Sequence, residues 1–450
     1  MKKTGLNGCF LVLILITAFP VWGLGGKDGG ASLKGMDVVI GNWWTDWDAN
    51  TRKANNDAEE KVIAYRAKIQ KDHGFSISEK KISSWDAMAQ YAATSIMAGN
   101  PAASVFIMEP SWAMMLHNQK LLYPVSESKA VNFKDSKPVE WNRNAINSFT
   151  FNGKAYAFAI GHNSYHHANG VFFNKRLFLE AGIDPNTPYN MQKAGTWTWS
   201  NFMDLCKKLT RDKDNTGMIN TYAMTHDPSW YMLDAIVASN GAYYVDQDSS
   251  GKFINATGRP EFLQALQFAI RLKTEGVLMP RPEGSNYDWY KSMFMNGRVA
   301  MLVTQQYVAK ELADMTDDWG FVLFPKGPNV NDYRYSTDEN VMIIPSTFKA
   351  EEVDKILYAV QLWYTPIDSN PNAWKDDQYS IYRDIRAVDE TLAMIQDPKY
   401  SLTNYFTYIP GLNRGDIAWA MWWWEGDPAQ LIESVSQSWN ALINDANGIK

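Results

Sequence analysis

The chain has 450 residues, 49 acidic and 43 basic side chains, a formal charge of -6 and two cysteines. A net-acidic chain without basic runs is a poor partner for nucleic acid or an anionic membrane surface, and this length is enough for two domains of ordinary size. Aromatic residues are abundant, with 19 tryptophans, 22 tyrosines and 20 phenylalanines; about two thirds of the tryptophans are expected in the core, and the remainder are available for stacking on sugar rings or cations.

Residues Met1 to Gly23 have the form of a secretory signal peptide: Lys2 and Lys3, a mostly apolar run from Cys9 to Val21, then Val21-Trp22-Gly23 as a small-residue exit. The run is shorter than the roughly 18 residues a membrane span needs, so export to the periplasm is expected. Removing residues 1–23 takes away two basic residues and no acidic one, which moves the formal charge from -6 to -8. It also leaves Cys206 as the one thiol, so no intrachain disulfide is expected. Cys206 follows Phe202-Met203-Asp204-Leu205 and reads as a buried helix cysteine. A lipid anchor would need a cysteine after the apolar run, where the Gly25-Gly26-Lys27-Asp28-Gly29-Gly30 leader stands.

Val38-Val39-Ile40 reads as a short buried strand that ends at Gly41 and releases Asn42, Trp43, Trp44, Asp46, Trp47 and Asp48 into a loop. A helix follows, with Ala58, Val62, Tyr65 and Ile69 on one face and a stop at His73-Gly74. Phe75-Ser76-Ile77-Ser78 is a second strand, Asp86 to Met97 a second helix, and Ser104 to Met108 a third strand. This β-α-β-α-β order predicts a parallel sheet covered by helices. Ligands of such sheets sit beyond the carboxyl ends of the strands, here Asn42 to Asp48 and Glu109-Pro110-Ser111-Trp112. Trp43, Trp44 and Trp47 are therefore candidate stacking residues, with Asp46 and Glu109 as hydrogen-bond acceptors and Trp112 beside them. A carboxylate at a helix start is also favoured by the helix dipole, which leaves a structural role open for Glu109. Neither strand end carries lysine or arginine, which disfavours an anionic ligand.

Further along, Asn152-Gly153 marks a turn before an extended run to Gly161, and Ser200 is read as the N-cap of a helix opened by Thr196-Trp197. Here the chain resembles the extracellular solute-binding proteins of bacterial ABC importers, in the sugar-binding group that includes the maltodextrin-binding protein. The resemblance rests on Asn152-Gly153-Lys154, Phe173-Asn174-Lys175, Glu180-Ala181-Gly182-Ile183, Thr196-Trp197 and Gly297-Arg298-Val299-Ala300-Met301, in that order, and spans about Met36 to Ala441. The chain departs from the pattern at Pro101-Ala102, at Ala159 in place of a proline, and at Ser336 to Ile343, where Asp338 and Glu339 replace a glycine-rich strand.

The resemblance implies an α/β fold of two lobes, each a mostly parallel sheet flanked by helices, joined by a strand hinge in the manner of a Venus flytrap. The first lobe would comprise residues 33–157 plus 341–398, the second 158–340 plus 399–450. It implies a monomer that captures a sugar, a di- or oligosaccharide, between the lobes and delivers it to a membrane permease, with neither catalysis nor a cofactor.

The resemblance also adds site candidates. His162 and Asn163 follow the hinge strand, and Trp230 stands where relatives present an aromatic. Gln305 and Gln306 end a strand where relatives place a stacking tryptophan, and their amides suit hydroxyls because they both donate and accept. Asp338 and Glu339 lie on the strand that returns to the first lobe. Trp422 belongs to a run in which the helical spacing of Trp419, Trp422 and Trp423 points to packing for at least two, with one free to reach the cleft.

Three histidines between His162 and His167 lack the spacing of a metal set. Asp212 to Asn220 follows the start of a calcium loop, but Ala223 stands where a glutamate is required, so a polar turn is the better reading. Two alternatives remain open. One keeps the fold and binds a cation such as a polyamine, with Asp46, Asp48, Glu109, Asp338 or Glu339 as counter-ions; the other is a secreted carbohydrate-active enzyme. Trp44→Ala is expected to weaken binding by more than about 2 kcal/mol.

Overall fold

The computed structural model describes residues 32–135, 137–161, 168–227, 229–337, 340–367, 372, 374–403 and 405–448. The first lobe begins with strand β1, Asp37–Asn42, and helix α1, Asp57–His73. Strand β2, Ser76–Lys81, and helix α2, Met88–Met97, follow, then strand β3, Val105–Met108, and helix α3, Pro110–Asn118. This is the order read from the sequence. Val38 and Ile40 are fully buried, and a Cβ added at Gly41 would stand 2.4 Å from the tip of the Ile82 side chain and 3.0 Å from the Ala103 Cβ, so a larger residue at the end of β1 would have to displace Ile82. Helix α1 starts where the Asn56 side chain accepts from the Glu59 amide and ends at Gly74, whose φ of 67° is left-handed.

In the second lobe, strand β4, Asn169–Asn174, is buried along its whole length. Strand β5, Met224–Thr225, leads into helix α4, Ser229–Ser239, and strand β6 is Leu278–Met279. Strands β7, Met301–Gln305, and β8, Trp319–Leu323, flank β4 and run antiparallel to it. Because β5 and β6 are parallel, and Tyr222 bridges Val299 in parallel just before β7, only β4 is reversed. Strand β9, Val341–Ile343, then returns to the first lobe, where the order is β9-β3-β1-β2 with only β9 reversed. The four-stranded sheet of the first lobe and the three-stranded sheet of the second thus each contain one strand running against its neighbours. Phe158 and Met342 pair where the crossing segments meet, with the Phe158 amide donating to the Met342 carbonyl at 3.0 Å.

Helix α5, Ala350–Tyr364, packs on α1: the Tyr65 hydroxyl donates to the Leu362 carbonyl at 3.1 Å and Arg66 Nε to the Trp363 carbonyl at 3.2 Å. Residues 374–395, which the sequence reading places in the first lobe, pack on the second instead. Lys175 pairs with Asp384, Gln192 donates to Thr391 at 3.0 Å, and the Thr391 hydroxyl donates to the Phe321 carbonyl at 2.8 Å. The polar partners that these residues need lie beside β4 and β8, so the chain has left the first lobe by Trp374 and not near Pro398. Among smaller differences, Thr198 and not Ser200 caps the helix Trp199–Leu209, its hydroxyl accepting from the Asn201 amide. Cys206 is buried in that helix as expected, and burial pushes its thiol well up. No helix among the described residues is long and apolar enough to cross a membrane.

Candidate functional site

A cavity of about 420 Å³ opens between the lobes. The first lobe contributes Trp43 from the end of β1, Trp85 from the loop after β2, and Glu109-Pro110-Ser111 from the junction of β3 with α3. The second lobe contributes Tyr231 from α4, Gln305 from the end of β7, and Tyr307; Asn340 lines it beside the crossing. A further wall comes from residues 406–414, including Phe406, Thr407, Asn413 and Arg414. This segment also touches the first lobe, since the rings of Tyr408 and Phe149 lie 5.3 Å apart.

The first-lobe wall is a cluster of indoles packed edge-to-face and tilted. Trp112 stands behind, 5.2 Å from Trp43 and 5.5 Å from Trp85, so the two front rings are held by a third. Trp85 is 54% exposed, and its Nε1 donates to Glu109 Oε1 at 2.8 Å. Glu109 occupies the N-cap position of α3 without a side-chain capping bond; its carboxylate faces the indole instead. Opposite, Arg414 pairs with the buried Asp234, and its guanidinium lies 5.5 Å from the Tyr231 ring and 4.9 Å from that of Phe406. The one cation lining the cavity among the described residues is therefore already matched by a carboxylate. Burial, then the nearby Glu311, holds the Tyr307 phenol above its ordinary range, so it remains a neutral donor and acceptor. The result is two aromatic walls with amide, hydroxyl and carboxylate groups between them, an arrangement that can stack on a ring and hydrogen-bond its edges.

A family model for the bacterial extracellular solute-binding proteins matches residues 80–355, more than half of the chain. The chain belongs to that family. No curated protein matches this solute-binding protein by sequence. Solved structures share its fold at low identity. An ABC substrate-binding protein of Listeria monocytogenes in complex with cycloalternan has a TM-score of 0.61 at 17% identity, covering 92% of this chain and 100% of that one. The cyclic alpha-maltosyl-1,6-maltose binding protein of Arthrobacter globiformis gives 0.63 at 15% over 91% and 99%. UgpB of Mycobacterium tuberculosis in complex with glycerophosphocholine gives 0.62 at 14% over 91% and 98%. The two-lobed α/β fold is common to them.

Of the residues singled out from the sequence of this solute-binding protein, Trp43, Glu109 and Gln305 line the cavity, and Trp112 supports the indole wall. Trp44 is 45% exposed and packs edge-on to Trp43 outside the lining. Asp46 and Trp47 turn away altogether. Asn42 Oδ1 accepts from the Trp44 and Thr45 amides at 2.9 and 3.0 Å, folding the loop back on β2. There Asp46 accepts from the Lys81 amide at 2.8 Å, and Trp47 exchanges backbone hydrogen bonds with Glu79.

Gln306 opens the short helix Gln306–Lys310, where it is buried and does not line the cavity. Trp230 packs on Tyr287 and Trp419 at 5.7 and 5.2 Å, and it is the next residue, Tyr231, that reaches the cavity. Trp422 is buried, its Nε1 donating to Ser229 at 2.7 Å, whereas Trp419 and Trp423 are exposed. The helix Gly415–Ala418 ends before Trp419, so helical spacing does not hold through the run and only one of the three rings is buried. His162, Asn163, Asp338 and Glu339 lie outside the described residues.

Trp85, Tyr231, Tyr307, Asn340 and Arg414 were not foreseen. Trp85 follows the carboxyl end of β2, so the strand-end rule could have found it; Arg414 comes from a segment with no periodic signal. Among the described residues no group of three or more His, Cys, Asp or Glu side chains is placed to hold a metal. The Asp212 carboxylate accepts from the Thr216 and Gly217 amides, closing the turn on itself.

Proposed function

We propose that this solute-binding protein captures a neutral sugar, a di- or oligosaccharide, between its lobes and delivers it to the membrane permease of an ABC importer. The observation that carries this reading is the pairing of walls: Trp43 and Trp85 on one lobe, Tyr231 on the other, with Gln305, Asn340 and Glu109 between them. Sugar rings present apolar CH faces and hydroxyl edges, and such a site meets both. Among the described residues that line the cavity, the match of Arg414 with Asp234 leaves no unpaired cation for a phosphate or carboxylate ligand. The complexes with cycloalternan and the cyclic maltosyl-maltose binding protein lend support, since the same fold is used there for oligosaccharides.

Ligand bridging both walls would favour a closed over an open arrangement of the lobes, and the permease would read that difference. In this reading the protein is exported to the periplasm, works as a monomer without a cofactor, and performs no chemistry on its ligand. The lobes are residues 33–157 with 341–364, and 168–337 with 374–448.

A second reading is a cationic ligand, favoured by a carboxylate, Glu109, set among indoles. Calorimetric titration of ligand-stripped protein with mono- and oligosaccharides beside polyamines separates the two. Saturable heat with a sugar alone is expected; heat with polyamines alone, falling steeply with salt, would replace the first reading by the second. Prolonged incubation with a bound sugar is expected to return it unaltered, and turnover would overthrow a purely binding role.

A further inference from the structure

The second lobe carries another cavity, of about 600 Å³, lined among others by His226, Asp227, Arg281, Glu283, Trp419 and Trp423. Trp419 and Trp423 are 49% and 79% exposed, unusual values for a side chain that is on average highly buried. Beneath them the polar groups are braced. Asp227 Oδ2 accepts from Trp289 Nε1 at 2.7 Å and lies 3.6 Å from Arg281, while Asp227 Oδ1 accepts from the Ser229 hydroxyl at 3.2 Å. Arg281 in turn donates from Nε to the Ser285 hydroxyl at 3.1 Å and from Nη2 to the Ser285 carbonyl at 3.2 Å, fixing the loop that forms one rim.

Burial holds the His226 imidazole below its ordinary range, against the pull of Asp227 and with the help of Arg281. It is thus a neutral ring that can donate and accept. The lining carries two carboxylates, Asp227 and Glu283, against one guanidinium, Arg281, so an anionic ligand gains nothing here. The two cavities are linked by rings: Tyr231 lines the first, Trp230 lies 5.9 Å from it, and Trp419 of the second lies 5.2 Å from Trp230.

We propose that this second cavity is a carbohydrate subsite that receives the far end of a long oligosaccharide whose first units sit between the lobes. The proposal rests on the reading of the interlobe cavity as a sugar site and adds ligand length to it. Exposed indole faces would stack on successive rings, and the Asp227–Arg281 pair and His226 would meet hydroxyls.

The test is calorimetric titration of the full chain, and of its Trp419→Ala and Trp423→Ala variants, with malto- and manno-oligosaccharides from disaccharide to heptasaccharide. Circular dichroism checks that the variants are folded; Trp423 is exposed enough for its removal to leave the core intact. Affinity of the unaltered protein should rise with length, and both variants should lose about tenfold for the longest ligand while keeping the disaccharide affinity. Equal loss at every length, or none, overturns the proposal. So does loss of transport without a length-dependent loss of binding, which would assign Trp423 to the permease-facing surface. Unaltered protein that binds short sugars without gaining from length overturns the second subsite alone. Failure to bind any sugar overturns the reading of the interlobe cavity and the subsite with it.

Discussion

Trp43 and Trp47 belong to one loop, yet they serve opposite ends. Trp43 faces the cavity, held by Trp44 at 4.9 Å and Trp112 at 5.2 Å. Trp47 instead packs 5.2 Å from Trp363, and the Arg66 guanidinium lies 4.3 Å from one ring and 3.9 Å from the other. Arg66 is charge-matched there by Glu79, which also accepts from Trp363 Nε1 at 3.1 Å. An indole near a strand end is thus not a ligand contact by position alone. What decides is whether a cation inside the lobe already covers its face, as Arg66 covers that of Trp47.

If the Arg66 box is purely structural, Trp363→Ala should lower the unfolding free energy by about 4 kcal/mol, read by urea denaturation, and leave the ligand affinity of the folded protein unchanged. A parallel fall in affinity would mean that the two regions are coupled. Trp43→Ala should do the reverse, costing more than about 2 kcal/mol of binding with a smaller shift in the urea midpoint than Trp363→Ala gives. Trp44→Ala should cost less than about 1 kcal/mol of binding, because Trp44 only supports Trp43; this replaces the larger effect expected from the sequence.

The smallest effect concerns Glu59, which pairs with Arg52 beside Trp47. Burial raises its carboxyl, but the Asn55 amide and Arg52 outweigh this and hold it below the ordinary range. A depressed folded value means that its stabilisation is fully present above the unfolded value of about 4.3 and is lost as pH falls through the folded one. The stability gap between the unaltered protein and Glu59→Gln should therefore be flat at neutral pH and close only in acid, while sugar affinity stays level. A gap that widened in acid would contradict this pairing.

The first lobe was legible because its signals are local. Gly74 stops α1, aliphatic runs mark β1 and β3, and the strand-end rule then points to Trp43 and Glu109. Proximity in sequence did not resolve direction. Trp230 and Tyr231 are adjacent on a helix, where one residue turns the side chain by about 100°, and only the packing of Trp230 on Tyr287 and Trp419 shows which faces the cavity. Arg414 was illegible for another reason. Its partner Asp234 is 180 positions away, and no pattern near either residue announces the pair. The same distance problem hid the early return of residues 374–395 to the second lobe.

The reversed strands have a consequence for how the chain reaches its native state. The first sheet is completed by β9, and α1 is covered by α5 through a hydrogen bond between residues 297 positions apart. Contacts of such long range slow folding, because the loop must be closed before the contact repays it. No N-terminal fragment that stops short of α5 can complete the first lobe. A nascent chain therefore lacks its native first core until most of its length is available.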